Sequence, residues 1–276
     1  MFLTRPPHPA LAPFVESLWL VDGAPLAHRF ERVMPTGAMQ LLVNLHADRL
    51  GDGERGINGA GLSGVHDRAK VIDTATQRRI AGVAFRPGAG ALLGVPAHLL
   101  ADRMVELADL WPKTGAALRE RVLACDSPRA VLATLEAFLL ARAADVERDG
   151  ALSFAIDALA RGASVGGVIE AIGWSERRFH TRFLAAVGTT PKRYARIRRF
   201  QRVLERAVRP DAESWAALAA TCGYFDQAHL IRDFRALSGG LTPGRYVPRT
   251  PGERNHVPVA DGNVQDALAQ LVRLPG

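Results

Sequence analysis

Two similar stretches in the second half of the chain carry side chains suited to contact a polyanion. The pattern Phe-x₄-Gly-x-Thr-Pro-x-Arg-Tyr begins at Phe183 and recurs from Phe234, with one extra glycine in the second copy. Arginine pairs with guanine or with phosphate, glutamine pairs with adenine, and small apolar side chains contact thymine methyl groups. Because arginine, glutamine and small apolar residues precede these phenylalanines, the repeat predicts two surfaces that bind nucleic acid.

The positive charge of the protein is concentrated around this repeat. The chain has 276 residues and a formal net charge of +7. Residues 1–150 contain 17 Lys+Arg and 17 Asp+Glu, residues 151–250 contain 16 and 8, and residues 251–276 contain 2 and 3. A local excess of this size favours a phosphate-rich partner, although an arginine-rich composition alone says little about function.

Composition limits the class of protein. With 48% hydrophobic and 23% charged residues, the chain is typical of a globular protein. Its two cysteines, Cys125 and Cys222, exclude a disulfide scaffold and any site that needs three or four thiolates. We find no apolar run of transmembrane length and no secretory signal at the N-terminus. A cytoplasmic protein with no membrane contact is therefore expected.

The first part of the chain is predicted to be rich in β-strands. Short apolar runs at 14–21, 38–46 and 78–86 are separated by Gly- and Asp-containing turn signals, and 71–76 is a further candidate strand. Helical spacing begins after residue 88, and the longer helices are predicted at 114–125 and 128–146. We place a domain boundary at residue 150, after a polar segment that ends in glycine.

From residue 151 onward the pattern is helical. Helices are predicted at 152–161, 165–172, 176–187, 191–208, 214–222 and 227–237. Two helix–turn–helix units result, and we call their second helices, 176–187 and 227–237, the reader helices. The connecting helix 191–208 would span about 27 Å, close to the roughly 34 Å of one DNA turn. A helical bundle without a ligand is the alternative.

The residues of the second unit resemble a known family. The segment from Gly223 to Arg235, followed by Gly-x-Thr-Pro-x-x-Tyr, is similar to the DNA-binding domain of AraC/XylS-type transcription regulators. The resemblance covers 151–250 and implies a bipartite helix-turn-helix domain on double-stranded DNA. The pattern departs from the family at Gly240, which lengthens a turn, and at Thr181, where the family usually carries arginine.

Helical phase selects the side chains that face DNA. Phe179 and Phe183 are four residues apart and must face the core, as must Leu230 and Phe234. The resemblance assigns base contacts to the opposite faces. The predicted base-contacting residues are Arg177, His180, Thr181, Gln227, Ala228, Ile231 and Arg232. The predicted phosphate-contacting residues are Ser175, Arg178, Arg182, Lys192, Arg193, Arg196 and His229.

The N-terminal part offers a weaker signal. Regulators of this class often carry a β-rich sensor, and residues 35–45 and 82–89 look like a sensor domain found in a subset of AraC-like proteins. Arg86 stands where a strand ends and a helix begins, and helix N-termini attract anions. We predict an effector pocket that includes Trp19, Phe85 and Arg86, although the aromatic residues also fit a plain core.

These observations predict an α+β protein without catalytic activity, metal or cofactor. The domains are a β-rich sensor or dimerisation domain with C-terminal helices (1–150), the DNA-binding domain (151–250) and a linker with a short tail (251–276). Predicted partners are double-stranded DNA, a small-molecule effector and RNA polymerase, with the protein a monomer or homodimer. The alternative is an N-terminal ligand-binding or enzymatic module whose helical block serves as a protein-interaction domain.

Overall fold

The computed structural model describes residues 1–24, 26–51, 56–75, 77–144, 146–209, 211 and 213–259. Its strands are Phe2–Arg5 (β1), Val15–Asp22 (β2), Phe30–Val33 (β3), Gln40–Asn44 (β4), Arg49–Leu50 (β5), Ile57–Asn58 (β6), Ala60–Ser63 (β7), Lys70–Asp73 (β8), Arg79–Phe85 (β9), Met104–Glu106 (β10) and His256–Pro258 (β11). Its α-helices are Gly90–Leu93 (α1), Leu107–Leu110 (α2), Gly115–Leu123 (α3), Pro128–Ala143 (α4), Gly150–Arg161 (α5), Val165–Ile172 (α6), Glu176–Val187 (α7), Pro191–Ala207 (α8), Trp215–Thr221 (α9) and Gln227–Leu237 (α10).

The first part of the chain is built on antiparallel sheets. Six strands pair in the order β1-β2-β9-β4-β7-β10, and a second sheet has the order β11-β3-β8. One face of the larger sheet, which carries Leu18, Leu41 and Val83, is fully buried. Helix α4 packs on this face against β2 and β9. The fold class predicted from the sequence, a β-rich part followed by a helical part, is confirmed.

The tail after the helical block returns to the β-rich part. Strand β11 pairs antiparallel with β3, with His256 opposite Val33. The carboxylate of Glu31 on β3 is 1% exposed and lies 3.3 Å from both Arg249 Nη1 and His256 Nδ1. Burial would raise the pKa of Glu31, but the hydrogen bond and charges of His256, Arg249 and His28 outweigh it and lower the pKa. An ion cluster therefore attaches the tail to β3.

The sequence predicts a linker and short tail over 251–276, and it contains no signal that would reveal a strand in that segment. A three-residue strand that includes a proline has no readable alternation, so β11 is visible only in the folded structure. The end of the predicted tail, residues 260–276, lies outside the described residues.

The helical block has two cores. The first includes Phe179, Phe183 and Tyr194 from α7 and α8. The second surrounds Phe200 and Phe234, and it also contains Met34, which follows β3, and Val257 of β11. The second helix-turn-helix unit therefore shares its core with the β-rich part. The predicted domain boundary at residue 150 stays a proposal.

Polar contacts join the same two parts. The guanidinium of Arg32 donates to the carbonyl oxygens of Ser238 and Gly239, just after α10. The side-chain amide of Gln201 on α8 donates to the Pro35 carbonyl at 2.8 Å. If the two parts separated, these buried or partly buried donors would lose their hydrogen-bond partners.

A hydrogen-bond relay fixes the loop after β7. Ser63 Oγ lies 2.9 Å from His66 Nε2, and His66 Nδ1 lies 3.3 Å from Asp102 Oδ1. Burial lowers the pKa of His66 to about 4, so the ring is neutral at pH 7. The hydrogen bond from His66 lowers the pKa of Asp102, which fits a proton on Nδ1. The relay holds the segment that carries Asp67 toward the helical block.

Stability should fall as the pH is lowered from about 6.5 to 4. Unfolded His66 takes up a proton near its ordinary pKa of about 6.5, whereas the folded chain does so only near 4. Protons therefore favour the unfolded state within this window, by an amount on the order of 3 kcal/mol. Urea unfolding of the wild type and of His66→Gln at both ends of the window measures the effect. An equal loss of stability in the two proteins would contradict it.

Candidate nucleic-acid interface

The first reader helix, α7, begins at an N-cap that the sequence specifies. Ser175 Oγ accepts a hydrogen bond from the Arg178 N–H at 3.3 Å, and α7 ends at Gly188, whose φ is +91°. Phe179 and Phe183 are fully buried, as their four-residue spacing predicts. The opposite face of the helix is consequently turned away from the core and toward solvent.

The second reader helix, α10, is built in the same way. The carboxylate of Asp226 accepts a hydrogen bond from the His229 N–H at 2.6 Å. Leu230 and Phe234 are fully buried. Both reader helices therefore have capped N-termini and one buried face, which leaves their first turns free to meet a ligand.

Helix α8 joins the two helix-turn-helix units. It begins at the N-cap Thr190, continues with Pro191, and runs for 17 residues, which corresponds to about 26 Å. Its buried residues contribute to both helical cores, Tyr194 to the first and Phe200 to the second. Because both cores share this helix, α8 fixes the separation of the two units.

Most predicted base-contacting side chains are accessible. In α7, Arg177 and Thr181 are exposed and His180 is half-buried, with its ring edge against Phe179. In α10, Gln227, Ala228 and Arg232 are exposed and Ile231 is half-buried. A concave patch of about 390 Å³ on α7 brings together five predicted DNA-contacting residues: Ser175, Arg177, Arg178, Thr181 and Arg182.

Three predicted phosphate-contacting arginines have acidic partners. Arg182 lies 3.0 Å from Asp149, and Arg196 lies 2.9 Å from Asp233. Arg193 lies 3.7 Å from Asp67, which belongs to the β-rich part. The arginine side chains are 40–63% exposed. Their acidic partners are less exposed, Asp149 at 24%, Asp67 at 28% and Asp233 at 10%. Ion pairs at the surface contribute only about 0.2–1 kcal/mol, so Arg182 and Arg193 can exchange a carboxylate for a phosphate more readily than Arg196, whose partner is buried.

The other predicted phosphate-contacting residues have different surroundings. The Arg178 guanidinium stacks over the Trp174 ring at 4.6 Å. Lys192 is exposed at the start of α8. His229 lies 3.8 Å from Asp233, the residue that also holds Arg196 and Arg199. Asp233, a residue of α10, therefore lies at the centre of a small ion network with Arg196, Arg199 and His229.

The three residues predicted for the effector pocket do not come together. Phe85 is fully buried in the core of the larger sheet. Trp19 pairs with Gly82, an odd number of residues from Phe85 on β9, so the two rings lie on opposite faces of the sheet. Gly82 makes room for Trp19, because a Cβ there would lie 2.4 Å from the indole. Arg86 lines a separate cleft.

This cleft lies between the β-rich part and the first helix-turn-helix unit. Its volume is about 1030 Å³. It is lined by Phe14 and Arg86 of the β-rich part, by Ile156 of α5, and by Thr181 and Arg182 of the first reader helix. A molecule bound in the cleft would contact both parts of the chain at once.

Sequence reasoning missed the acidic residues that hold the arginines. Asp233 lies one helical turn after His229, so i,i+4 spacing on α10 contains a usable signal. Asp67 and Arg193 are far apart in the sequence, and no local pattern connects them. Because ion pairs between distant segments depend on how those segments pack, only the folded structure shows this contact.

Two family models match the chain. Residues 3–106 match a domain of unknown function, DUF6597, and residues 168–249 match a helix-turn-helix domain. No curated protein matches the chain significantly. None of the described helices is long and apolar enough to cross a membrane.

Solved structures of a Vibrio cholerae protein show a distant likeness. Unsaturated fatty acid bound wild-type ToxT from strain SCE256 is 8% identical, with 89% of this chain and 94% of that chain covered and a TM-score of 0.41. ToxT from Vibrio cholerae O395 is 9% identical, with coverages of 89% and 96% and a TM-score of 0.37.

The site and the helix-turn-helix match define the class of protein. The match lies on the segment whose residues resemble the AraC/XylS type, and it contains both capped reader helices. The chain combines a DUF6597 domain with an AraC-type helix-turn-helix domain. It is a DNA-binding transcription regulator, as the sequence predicts.

Proposed function

We propose that α7 and α10 read two successive major grooves of one DNA duplex. The observation that carries this proposal is the pair of capped helices with exposed polar faces, joined by the continuous helix α8. A length of about 26 Å for α8 suits two helices that enter grooves roughly one turn apart. Arg232 suits a guanine and Gln227 an adenine by the donor and acceptor patterns of the bases.

The basic side chains around these helices supply most of the affinity. Each phosphate contact releases counterions, so the slope of log K against log salt concentration changes by about −0.9 per contact. Five of the seven predicted phosphate-contacting residues are lysine or arginine, and they imply a steep slope. A helical block that binds only another protein shows no such dependence, because it has no DNA affinity to lose.

Selection of bound duplexes from a random DNA pool tests the proposal directly. The full-length protein should enrich a motif with two parts, centred about 10 base pairs apart. Binding to that motif should then weaken steeply with salt. If no sequence is enriched and no duplex is bound at low salt, the alternative of a protein-interaction domain stands instead.

The cleft between the two parts is our proposed effector site. A ligand that contacts Arg86 on one side and Thr181 and Arg182 on the other touches the β-rich part and α7 together. Such a ligand changes DNA binding only if it binds one arrangement of the two parts more tightly than the other. Arg86 is exposed and uses its Nε to hold the Ala12 carbonyl, so its terminal nitrogens suit an anionic group.

The same DNA-binding assay tests this site. A panel of small organic acids is added at fixed salt, and a true effector shifts the binding curve for the selected duplex. The shift should disappear in Arg86→Ala and persist in Arg29→Ala, which removes an exposed arginine outside the cleft. A shift that survives Arg86→Ala would place the effector elsewhere. Contact with RNA polymerase, homodimer formation and a cytoplasmic location stay predictions.

A further inference from the structure

An aromatic side chain next to the second reader helix is almost fully exposed to solvent. Phe225 is 93% exposed, more than any other large hydrophobic side chain among the described residues. It directly precedes Asp226, the N-cap of α10, and the exposed residues Gln227 and Ala228 follow. Its ring therefore lies at the N-terminal end of α10. A recognition helix presents its N-terminal residues to base edges.

The backbone of Phe225 is held on both sides. Before it, Tyr224 is buried, its ring centroid lies 5.2 Å from that of His229, and the Arg199 guanidinium lies 4.5 Å from the centre of its ring. The Phe225 N–H points to His229 Nδ1 at 3.5 Å, and Asp226 caps the helix. The exposure of the ring thus does not come from a loose loop, because its position relative to α10 is fixed.

The turn of the first helix-turn-helix unit is one residue shorter, because only Trp174 separates Gly173 from the N-cap, whereas Tyr224 and Phe225 separate Gly223 from Asp226. Trp174 therefore corresponds to the buried Tyr224, and Phe225 is the extra residue of the second turn. Trp174 directly precedes the N-cap Ser175 and is only half-exposed. Arg178 and Arg182 lie over its ring at 4.6 and 5.6 Å. In the second unit the equivalent positions are His229 and Asp233, neither of which covers the phenyl ring. The ring of Phe225 is therefore exposed, whereas the ring of Trp174 is partly covered by two arginines.

We propose that Phe225 contacts the C5 methyl group of a thymine in the groove that α10 enters. This inference rests on the proposed function. A phenyl ring gains nothing from a phosphate, and the thymine methyl is the apolar group that the major groove presents. Burying the ring against it removes apolar surface from water. Phe225 is thus a further specificity-determining residue, added to the polar contacts of Gln227 and Arg232.

The test uses the full-length protein and the duplex that the wild type selects. Thymines in the α10 half-site are replaced one at a time by deoxyuridine, which lacks the methyl group. At one position the wild type should lose about fourfold in affinity, the value of one buried methyl group. Phe225→Ala should bind the thymine duplex about tenfold more weakly than the wild type, and deoxyuridine should cause no further loss.

The controls distinguish a failure of the inference about Phe225 from a failure of the proposed DNA binding. The salt slope of Phe225→Ala should equal that of the wild type, because no phosphate contact is lost. Phe154→Ala, which removes a half-exposed ring on α5, should bind like the wild type. If Phe225→Ala binds normally, or stays as sensitive to deoxyuridine as the wild type, the inference is wrong while DNA binding stands. If the wild type selects no sequence, both proposals fail.

Discussion

Arg232→Ala should relax sequence preference at a single base pair by roughly 5- to 150-fold, because one bidentate arginine–guanine contact discriminates by about 1–3 kcal/mol. Arg232 is exposed in the second turn of α10, on the face opposite the buried Leu230 and Phe234. Repeating the random-pool selection with the variant measures the effect position by position. A preference that is unchanged at every base pair would show that the face assignment is wrong.

Arg193→Ala is the matched comparison for this result. Arg193 lies at the start of α8, where it contacts Asp67 rather than the base-reading face. The variant should bind all sequences more weakly to a similar degree, and the log–log salt slope should become shallower by about 0.9. A change of preference at one base pair in this variant would place Arg193 against a base instead of a phosphate.

Phe234→Ala should destabilise the protein by about 3–5 kcal/mol, the usual cost of emptying a buried phenylalanine site. The Phe234 ring is fully buried and lies 5.2 Å from the ring of Phe200, 5.9 Å from Trp215 and 5.7 Å from Tyr246. Since Met34 belongs to the same core, the loss should also weaken the attachment of the second helix-turn-helix unit to the β-rich part.

The urea midpoint measures this change. Trp215, one of the four tryptophans, lies against Phe234, so part of the tryptophan fluorescence reports on the affected core. Phe154→Ala is the control, because its ring is 48% exposed and its loss should cost much less. If the two variants shift the midpoint equally, Phe234 does not hold the second core together.

The helices were predictable from the sequence because their ends are chemically marked. Ser175, Thr190 and Asp226 each accept a backbone hydrogen bond at a helix start, and Gly188 adopts a positive φ at a helix end. Local signals of this kind need no knowledge of distant residues. The α10 helix, predicted at 227–237, has those bounds in the structure.

The contacts between the two parts were not predictable. Met34 completes the core of the second helix-turn-helix unit, and Arg32 binds carbonyl groups after α10, yet both look like ordinary residues of a strand and its end. The effector prediction shows the same limit. Trp19 and Phe85 look equivalent in the sequence, but strand alternation places them on opposite faces.

The pairing of β11 with β3 also determines when this protein can finish folding. Strand β3 is synthesised early, but one of its two neighbours, β11, is made only after the entire helix-turn-helix region. Until then β3 is an edge strand with unpaired backbone groups, the kind of surface on which chains aggregate. Addition of β11 thus makes completion of the three-stranded sheet depend on a complete DNA-binding region, and in a prematurely terminated chain β3 itself stays an edge strand.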